Sequence, residues 1–232
     1  MPIYDKTFSY DAWSCRVNKG LLAAIQRANG FLESFPNSYV LKCDVSKFFN
    51  NVDQNILFDL LNLNIKDEQI LVLLKEVISS YDSGHCKIGI PIGNLTSQIF
   101  ANIYLNELDR FVKYQLKPKA YLRYGDDFIL VENDFERINE FNLLIKEFLQ
   151  EKLKLRLKNK NNVIIKARSG LKFLGVIIWP NGKKLNGRNI RRMGKRLNQS
   201  NFSSYRGLVH KLQKPKFGKY FDWLAMEKFG RD

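Results

Sequence analysis

Residues 121–131 read YLRYGDDFILV: two apolar, strand-forming runs separated by a tight Gly-Asp-Asp. Such a stretch commits the chain to a β-hairpin, because Gly and Asp supply the backbone conformations that a two-residue loop demands. A turn accounts for Gly125 and Asp126. It does not account for Asp127, which stands directly against Phe128-Ile129-Leu130-Val131. Two carboxylates held side by side on a stiff hairpin repel each other unless a cation lies between them. The hairpin therefore raises two questions: whether a third carboxylate accompanies it, and what substrate suits the rest of the chain.

The formal charge is +15, and it is unevenly spread. Residues 152–221 hold 20 of the 38 Lys and Arg and none of the 23 Asp and Glu, which leaves 18 basic and 23 acidic groups elsewhere, a net of −5. Solvated surfaces usually mix signs, so a long acid-free stretch favours a polyanion partner. An anionic membrane fits less well, because the basic residues define no single amphipathic face. The apolar runs are far short of the roughly 20 residues that span a bilayer, and the N-terminal MPIYDKTFSYDAWSC, with early acids and no apolar core, does not read as a signal peptide. Three widely spaced cysteines, Cys15, Cys43 and Cys86, argue against a disulfide framework and for a reducing compartment. His85-Cys86 is a weak zinc candidate, since the chain has two His and no C-x-x-C.

Periodicity predicts helices over 18–34, 54–63, 68–79, 95–116, 134–153, 186–198 and 203–211, with Asp53 and Asp67 as N-caps and Asn94 opening the long fourth one. Strands are predicted over 39–45, in the 121–131 hairpin, and over 163–166 and 173–179, with a turn at Pro180-Asn181-Gly182. The segment HCKIGIPIGN (85–94) is too rich in glycine and proline to be regular. Strands at hairpins rather than in βαβ repeats indicate an α+β fold, an antiparallel sheet with helices on one face.

The third carboxylate is Asp44, inside the apolar strand LKCDVSKFF (41–49). Asp is disfavoured in mid-strand and costly to desolvate unless paired or metal-bound. An exposed edge strand would also tolerate it. Asp44 on one strand with Asp126 and Asp127 on a neighbouring hairpin is the stronger pattern. Three such carboxylates suit two divalent ions working on an in-line phosphoryl displacement, and their hard oxygens favour Mg²⁺. Cys43, beside Asp44, reads as a packing residue.

With these residues in place, the chain resembles a reverse transcriptase. LKCDVSKFF resembles the first catalytic motif of the polymerase palm, GIPIGNLTSQ (89–98) the motif lining the nascent base pair, YGDD (124–127) the Tyr-x-Asp-Asp box, and FLGV (173–176) the primer grip. YDAWSCRVNKG (10–20) is similar to the stretch ahead of the palm. The resemblance implies a palm over residues 1–180, with a remnant of the fingers at its start, and a basic, partly helical thumb over 181–232. It implies an RNA-directed DNA polymerase that adds dNTPs to a DNA primer on an RNA template with two Mg²⁺, Mn²⁺ being a substitute. Asp44, Asp126 and Asp127, with the backbone carbonyl of Val45, would hold the metals. Phe49 would be the steric gate against a ribose 2′-hydroxyl, and Ile92, Gly93 and Gln98 would meet the incoming nucleotide. Tyr124, Phe173, Leu174 and Gly175 would support the primer. Arg188, Arg191, Arg192, Lys195 and Arg196 would grip the template-primer backbone, a role that charge alone also suggests.

Ile92 stands where most relatives carry Gln, and Gln98 where most carry Pro; both resemble the error-prone enzymes of diversity-generating retroelements and their group II intron-like bacterial kin. A branched apolar side chain cannot hydrogen-bond the incoming nucleotide and would position it less strictly. Relatives carry a longer fingers region ahead of this point, a fuller thumb, and a Lys where Asn161 and Asn162 follow Lys160. The expectation is thus a fragment, one half of a split gene or a decayed copy, its fingers largely absent, with a separate fingers chain or a retroelement accessory protein as candidate partner. Two alternatives stand beside polymerisation: an inactive RNA-binding remnant, and a defence-type enzyme that polymerises without a template. The resemblance implies a cytoplasmic protein of a bacterium or phage.

Overall fold

The computed structural model describes residues 2–81, 87–213 and 215–229; His85-Cys86, the zinc candidate, lies outside them. The chain forms two compact units, Met1–Ala24 with Ser38–Ile165, and Ile25–Asn37 with Lys166–Asp232. Among the described residues no helix is long and apolar enough to cross a membrane.

The first unit runs through α1 (Pro2–Asp5), the start of α2 (Leu21–Ser34), β1 (Tyr39–Asp44), α3 (Phe48–Asn51), α4 (Gln54–Asn62), α5 (Glu68–Ser79) and α6 (Leu95–Arg110). A π-helical turn, Phe111–Leu116, carries α6 on, followed by β2 (Ala120–Tyr124), β3 (Asp127–Glu132), α7 (Phe135–Lys152) and β4 (Val163–Lys166). The strands form one sheet in the order β2-β3-β1-β4. β3 is antiparallel to both β1 and β2. Period-two alternation sends Leu41 and Cys43 of β1, Tyr121 of β2, and Phe128 and Leu130 of β3 into one core. Phe100, Tyr104 and Leu108 of α6 and Ile138, Phe141 and Ile145 of α7 complete it. The predicted α+β arrangement, an antiparallel sheet with helices over one face, is the one observed.

Local signals fix the helix starts. Asp53 accepts from the amides of Asn55 and Ile56, Asp67 from those of Gln69 and Ile70, and Asp134 from those of Glu136 and Arg137. Each supplies acceptors that the first helical turn lacks. The segment after residue 86 is irregular, as its glycines require. It is tied down by the Gly89 amide donating to Val52 O (2.7 Å), the Ile90 amide to Phe49 O (2.8 Å) and Gln54 Nε2 to Gly89 O (2.9 Å).

Besides the rest of α2, the second unit contains β5 (Leu171–Phe173), β6 (Val176–Trp179) and β7 (Gly182–Leu185), an antiparallel meander in that order. It continues with α8 (Gly187–Arg196), α9 (Gln199–Leu212) and α10 (Pro215–Phe229). Three expectations need correction. Residues 173–179 are not one strand: Leu174 (φ 48°) and Gly175 (φ 80°) form a two-residue turn between β5 and β6, the double positive φ of a type I′ hairpin. α9 begins at Gln199, where Asn198 and Asn201 make a capping box. α10 escaped prediction altogether; it packs along α9 through Phe202, 6.2 Å from the Phe221 ring, and through Gly218, where an added Cβ would press on His210.

Candidate active site

The antiparallel register of β1 and β3 pairs Asp44 directly with Asp127, and that of β2 and β3 pairs Tyr124 with Asp127. Directly opposed residues lie on one face with their Cβ atoms about 5 Å apart, so Asp44, Asp127 and Tyr124 share a face at one end of the sheet. Asp126 occupies the two-residue loop beside them. Gly125 takes φ 64° there and Asp126 does not appear among the positive-φ residues, the pattern of a type II′ turn. The Val45 amide donates to Asp126 O at 3.2 Å, tying the end of β1 to the loop. Register and one backbone hydrogen bond therefore place the three carboxylates predicted from sequence at the same end of the sheet.

Burial makes this corner electrostatically strained. It raises the Asp126 carboxyl above its ordinary range, and the Asp44 charge adds to the effect against Lys158 and Arg123. Asp127 is pushed up to about 7, first by burial and then by Asp44 and Asp126, although Lys42 pulls the other way. Lys42 Nζ lies 3.5 Å from Asp127 Oδ1, yet that oxygen is buried and accepts no hydrogen bond among the described residues. Asp44 Oδ2 is better served: Asn161 Nδ2 donates to it at 2.5 Å and Lys158 Nζ lies 3.8 Å away. Among the described residues no three acids, His or Cys are drawn together tightly enough to form a ready-made metal cage. A divalent cation nevertheless suits this chemistry: the donors are hard oxygens, one is orphaned, and their mutual repulsion is what a cation relieves. Burial pushes the Cys43 thiol up and leaves it inert, its Sγ 3.5 Å from Asn162 Oδ1.

Beneath the loop lies a feature that sequence reading missed. Arg123 is 1% exposed and Asp109 0%. Arg123 Nε and Nη2 donate to the two Asp109 oxygens at 2.8 and 2.6 Å. Arg123 Nη1 donates to Asn102 Oδ1 and to Gly125 O, both at 3.1 Å, and Tyr121 OH donates to Asp109 Oδ1 at 2.6 Å. A buried bidentate pair thus holds the carbonyl of the very glycine that makes the turn. The signal available was the pairing of two charges against pattern, Arg123 inside a strand and Asp109 inside an apolar helix. The chain from Asp11 to Trp13 lies along β2, bonded through the Arg123 amide and carbonyl at 2.9 and 2.8 Å.

Phe49 sits in α3, half-buried against Phe48 at 5.3 Å. Ile92, Gly93 and Gln98 are exposed around the start of α6. Gly93 has φ 96° and open space where a side chain would be, so backbone conformation, not crowding, calls for glycine. The remaining predicted residues belong to the second unit. Phe173, Leu174 and Gly175 make the β5–β6 turn. Gly175 O accepts from the Asn186 amide (3.0 Å) and Asn189 Nδ2 (3.2 Å), and a Cβ there would collide with Asn189. Arg188, Arg191, Arg192, Lys195 and Arg196 all project from α8, whose Met193 is buried. Within this helix the basic groups do share an exposed side, contrary to the reading of the whole stretch.

Comparison with known proteins follows the same lines. Residues 6–178 match the reverse transcriptase (RNA-dependent DNA polymerase) family. The chain is 24% identical to the putative COX1/OXI3 intron 2 protein of Saccharomyces cerevisiae, over 75% of this chain and 27% of that one. It is 24% identical to Protein YkfC of Escherichia coli, over 75% and 56%. It is 25% identical to the group II intron-encoded protein LtrA of Lactococcus lactis subsp. cremoris, over 57% and 33%. The chain thus spans between about a quarter and just over half of these relatives' lengths. Among solved structures, telomerase from Candida albicans with a telomeric RNA fragment aligns over 99% of this chain and 46% of its own (TM-score 0.69, 13% identity). The Sicinivirus 3Dpol RNA-dependent RNA polymerase aligns over 88% and 50% (TM-score 0.52, 14% identity). With three quarters of its length matched by that family and its carboxylates gathered at the end of a polymerase-like sheet, the chain belongs to the reverse transcriptases, the RNA-directed DNA polymerases.

Proposed function

We propose that this chain is the catalytic palm (residues 1–180) and the basic start of the thumb (181–232) of an enzyme that extends a DNA primer with dNTPs on an RNA template. The observation that carries the reading is the register that sets Asp44 opposite Asp127, with Asp126 in the adjoining loop. Asp44, Asp126, Asp127 and the carbonyl of Val45 would hold two Mg²⁺ ions, or Mn²⁺ in their place. When bound, the ions supply a lowered pKa at the primer 3′-hydroxyl and charge neutralisation at the leaving pyrophosphate. The chain's own residues do the positioning. The Arg123–Asp109 pair fixes the loop that presents Asp126. Lys42 and Asn161 orient the carboxylates of Asp127 and Asp44. Phe49 occupies the steric-gate position, Ile92, Gly93 and Gln98 face the nucleotide, and Tyr124 stands at the primer end. The Phe173-Leu174-Gly175 turn supports the primer strand, and the α8 cations meet its phosphates. The free thiols of Cys15 and Cys43 suit a cytoplasmic setting, and a retroelement accessory protein is a candidate partner.

Primer extension on an RNA template with Mg²⁺ tests this, using the wild type beside Asp126→Asn. Template-directed incorporation that the variant loses is the expected result. A second reading, RNA binding without polymerisation, draws on Asp44 Oδ2 being already held by Asn161 and Lys158. It requires no incorporation by either protein and salt-sensitive RNA binding by both. Product sequences unrelated to the template would point instead to untemplated synthesis. The error-prone type rests on Ile92, which is 66% exposed and free to meet a nucleotide. Ile92→Gln is expected to lower misincorporation opposite adenine, and an unchanged error rate removes that assignment.

A further inference from the structure

The second unit contains a cleft of about 660 Å³ between the β6–β7 hairpin and α10, a volume typical of a small-ligand site. Its walls carry three aromatic side chains, Trp179, Phe217 and Tyr220, and three lysines, Lys183, Lys184 and Lys216. No acid lines it. The first acid after residue 151 is Asp222, which is already engaged by Arg206 at 2.8 Å and His210 at 3.0 Å.

The aromatic groups are presented, not packed away. The turn at Pro180-Asn181 brings Lys184 diagonally across from Trp179, and Lys184 Nζ lies 5.2 Å from the indole centroid. Gly170 makes room for that indole: a Cβ there would collide with Trp179 Nε1. Along α10 the rings follow at helical spacing, Phe217 to Tyr220 at 6.0 Å and Tyr220 to Trp223 at 5.9 Å. Tyr220 is 52% exposed and Trp223 56%. The amide nitrogen of Gln213, at the cleft wall, is buried and donates to nothing among the described residues.

We propose that this cleft binds an unpaired nucleobase of a single-stranded nucleic acid. The rings give a base its stacking faces, and the lysines meet the flanking phosphates. Gln213 offers a donor to an acceptor on the base or sugar. A duplex keeps its bases stacked on one another, so this is a different task from backbone gripping by α8. The proposal stands on the cleft alone and does not need the palm carboxylates to be active.

The test is fluorescence anisotropy with labelled oligo(U), oligo(dT) and an RNA–DNA duplex, on the full chain and its Tyr220→Ala, Tyr220→Phe and Lys184→Gln variants. Tyr220→Ala is expected to weaken single-strand binding about tenfold, in the range that loss of one stacking ring produces. Duplex affinity should be unchanged, and Tyr220→Phe should bind like wild type. Lys184→Gln should make the slope of log K against log salt concentration shallower by roughly 0.7, the share of one phosphate contact. A selective effect on oligo(U) assigns the occupant to RNA, and one on oligo(dT) assigns it to DNA. Equal loss for single strand and duplex, no loss in Tyr220→Ala, or equal displacement of the oligonucleotide by polyglutamate would each overturn the proposal. Running the assay with EDTA and without dNTPs separates it from the palm: the selective single-strand loss in Tyr220→Ala should persist there.

Discussion

Two Arg–Asp pairs in this molecule have nearly the same geometry and opposite surroundings. Arg123 grips Asp109 through two nitrogens at 2.8 and 2.6 Å, with both side chains almost wholly buried. Arg206 grips Asp222 through two nitrogens at 2.8 and 3.3 Å, with the Arg206 side chain 53% exposed and that of Asp222 22%. The first lies in a unit that forces carboxylates together; the second lies in a unit that spreads basic groups over its surface. The contrast shows that hydrogen-bond geometry alone does not set energetic weight. In the first unit a charge is costly to strand, so each is held by others. In the second, water reaches Arg206 and shares in serving the pair.

The largest effect is therefore expected at the buried pair. Removing one partner strands the other, which costs about 3–5 kcal/mol. At roughly 2–4 °C for each kcal/mol in a chain of this size, Asp109→Ala should lower Tm by about 6–20 °C in a thermal melt. Replacing both with apolar residues, Arg123→Met with Asp109→Leu, should cost less than the single change, because no charge is left stranded. A drop of a degree or less in Asp109→Ala would mean that the pair only fills space, and the comparison would collapse. Because Arg123 also holds Gly125 O, primer extension should fall in these variants even at temperatures where the fold is intact.

A smaller and pH-dependent effect belongs to Asp127. Its carboxyl is raised from 3.8 to about 7 in the folded chain. Between those values the folded state holds a proton that the unfolded state has lost, so stability falls as pH rises from about 4 to 7. Asp126 is raised too and adds in the same direction. Asp127→Asn should match wild type in Tm at pH 4 and exceed it by a few degrees at pH 8. Excess Mg²⁺ at pH 8 should raise the Tm of wild type more than that of the variant, since a cation relieves the repulsion that the substitution removes. Parallel pH profiles for the two proteins would show that the corner carries no such strain.

What the sequence made legible follows from where each signal resides. Asp53 and Asp67 were readable because a cap acts two or three residues along the chain, and the 124–127 hairpin because Gly125 and its flanking strands are contiguous. Asp44 stood out because an acid in an apolar strand breaks a local pattern. The Asn161–Asp44 bond joins residues 117 positions apart, and Arg123–Asp109 joins a strand to a helix. Neither partner announces the other until β1, β2 and α6 are folded together. The β5–β6 break was missed for a different reason: Leu174 at φ 48° is an unfavourable choice that tertiary structure imposes on a residue usually found in strands. α10 was obscured by its composition, since aromatic residues interleaved with lysines blur the apolar stripe that marks an amphipathic helix.

The smallest effect is expected at the surface pair. Arg206 lies at the surface, its side chain 53% exposed, so its attraction to Asp222 is screened by water and salt, and ordering two flexible side chains offsets much of what remains. The pair lowers the Asp222 carboxyl below its ordinary range, which places any contribution above the usual carboxylate pKa and removes it in acid. Arg206→Ala should leave Tm within experimental error at pH 7 and at high salt. A detectable loss should appear only at low ionic strength, with His210 as the remaining partner of Asp222. If Arg206→Ala instead lowered Tm as much as Asp109→Ala, α9 and α10 would owe their association to that ion pair and not to the Phe202–Phe221 stack. Burial would then cease to be what separates the two units.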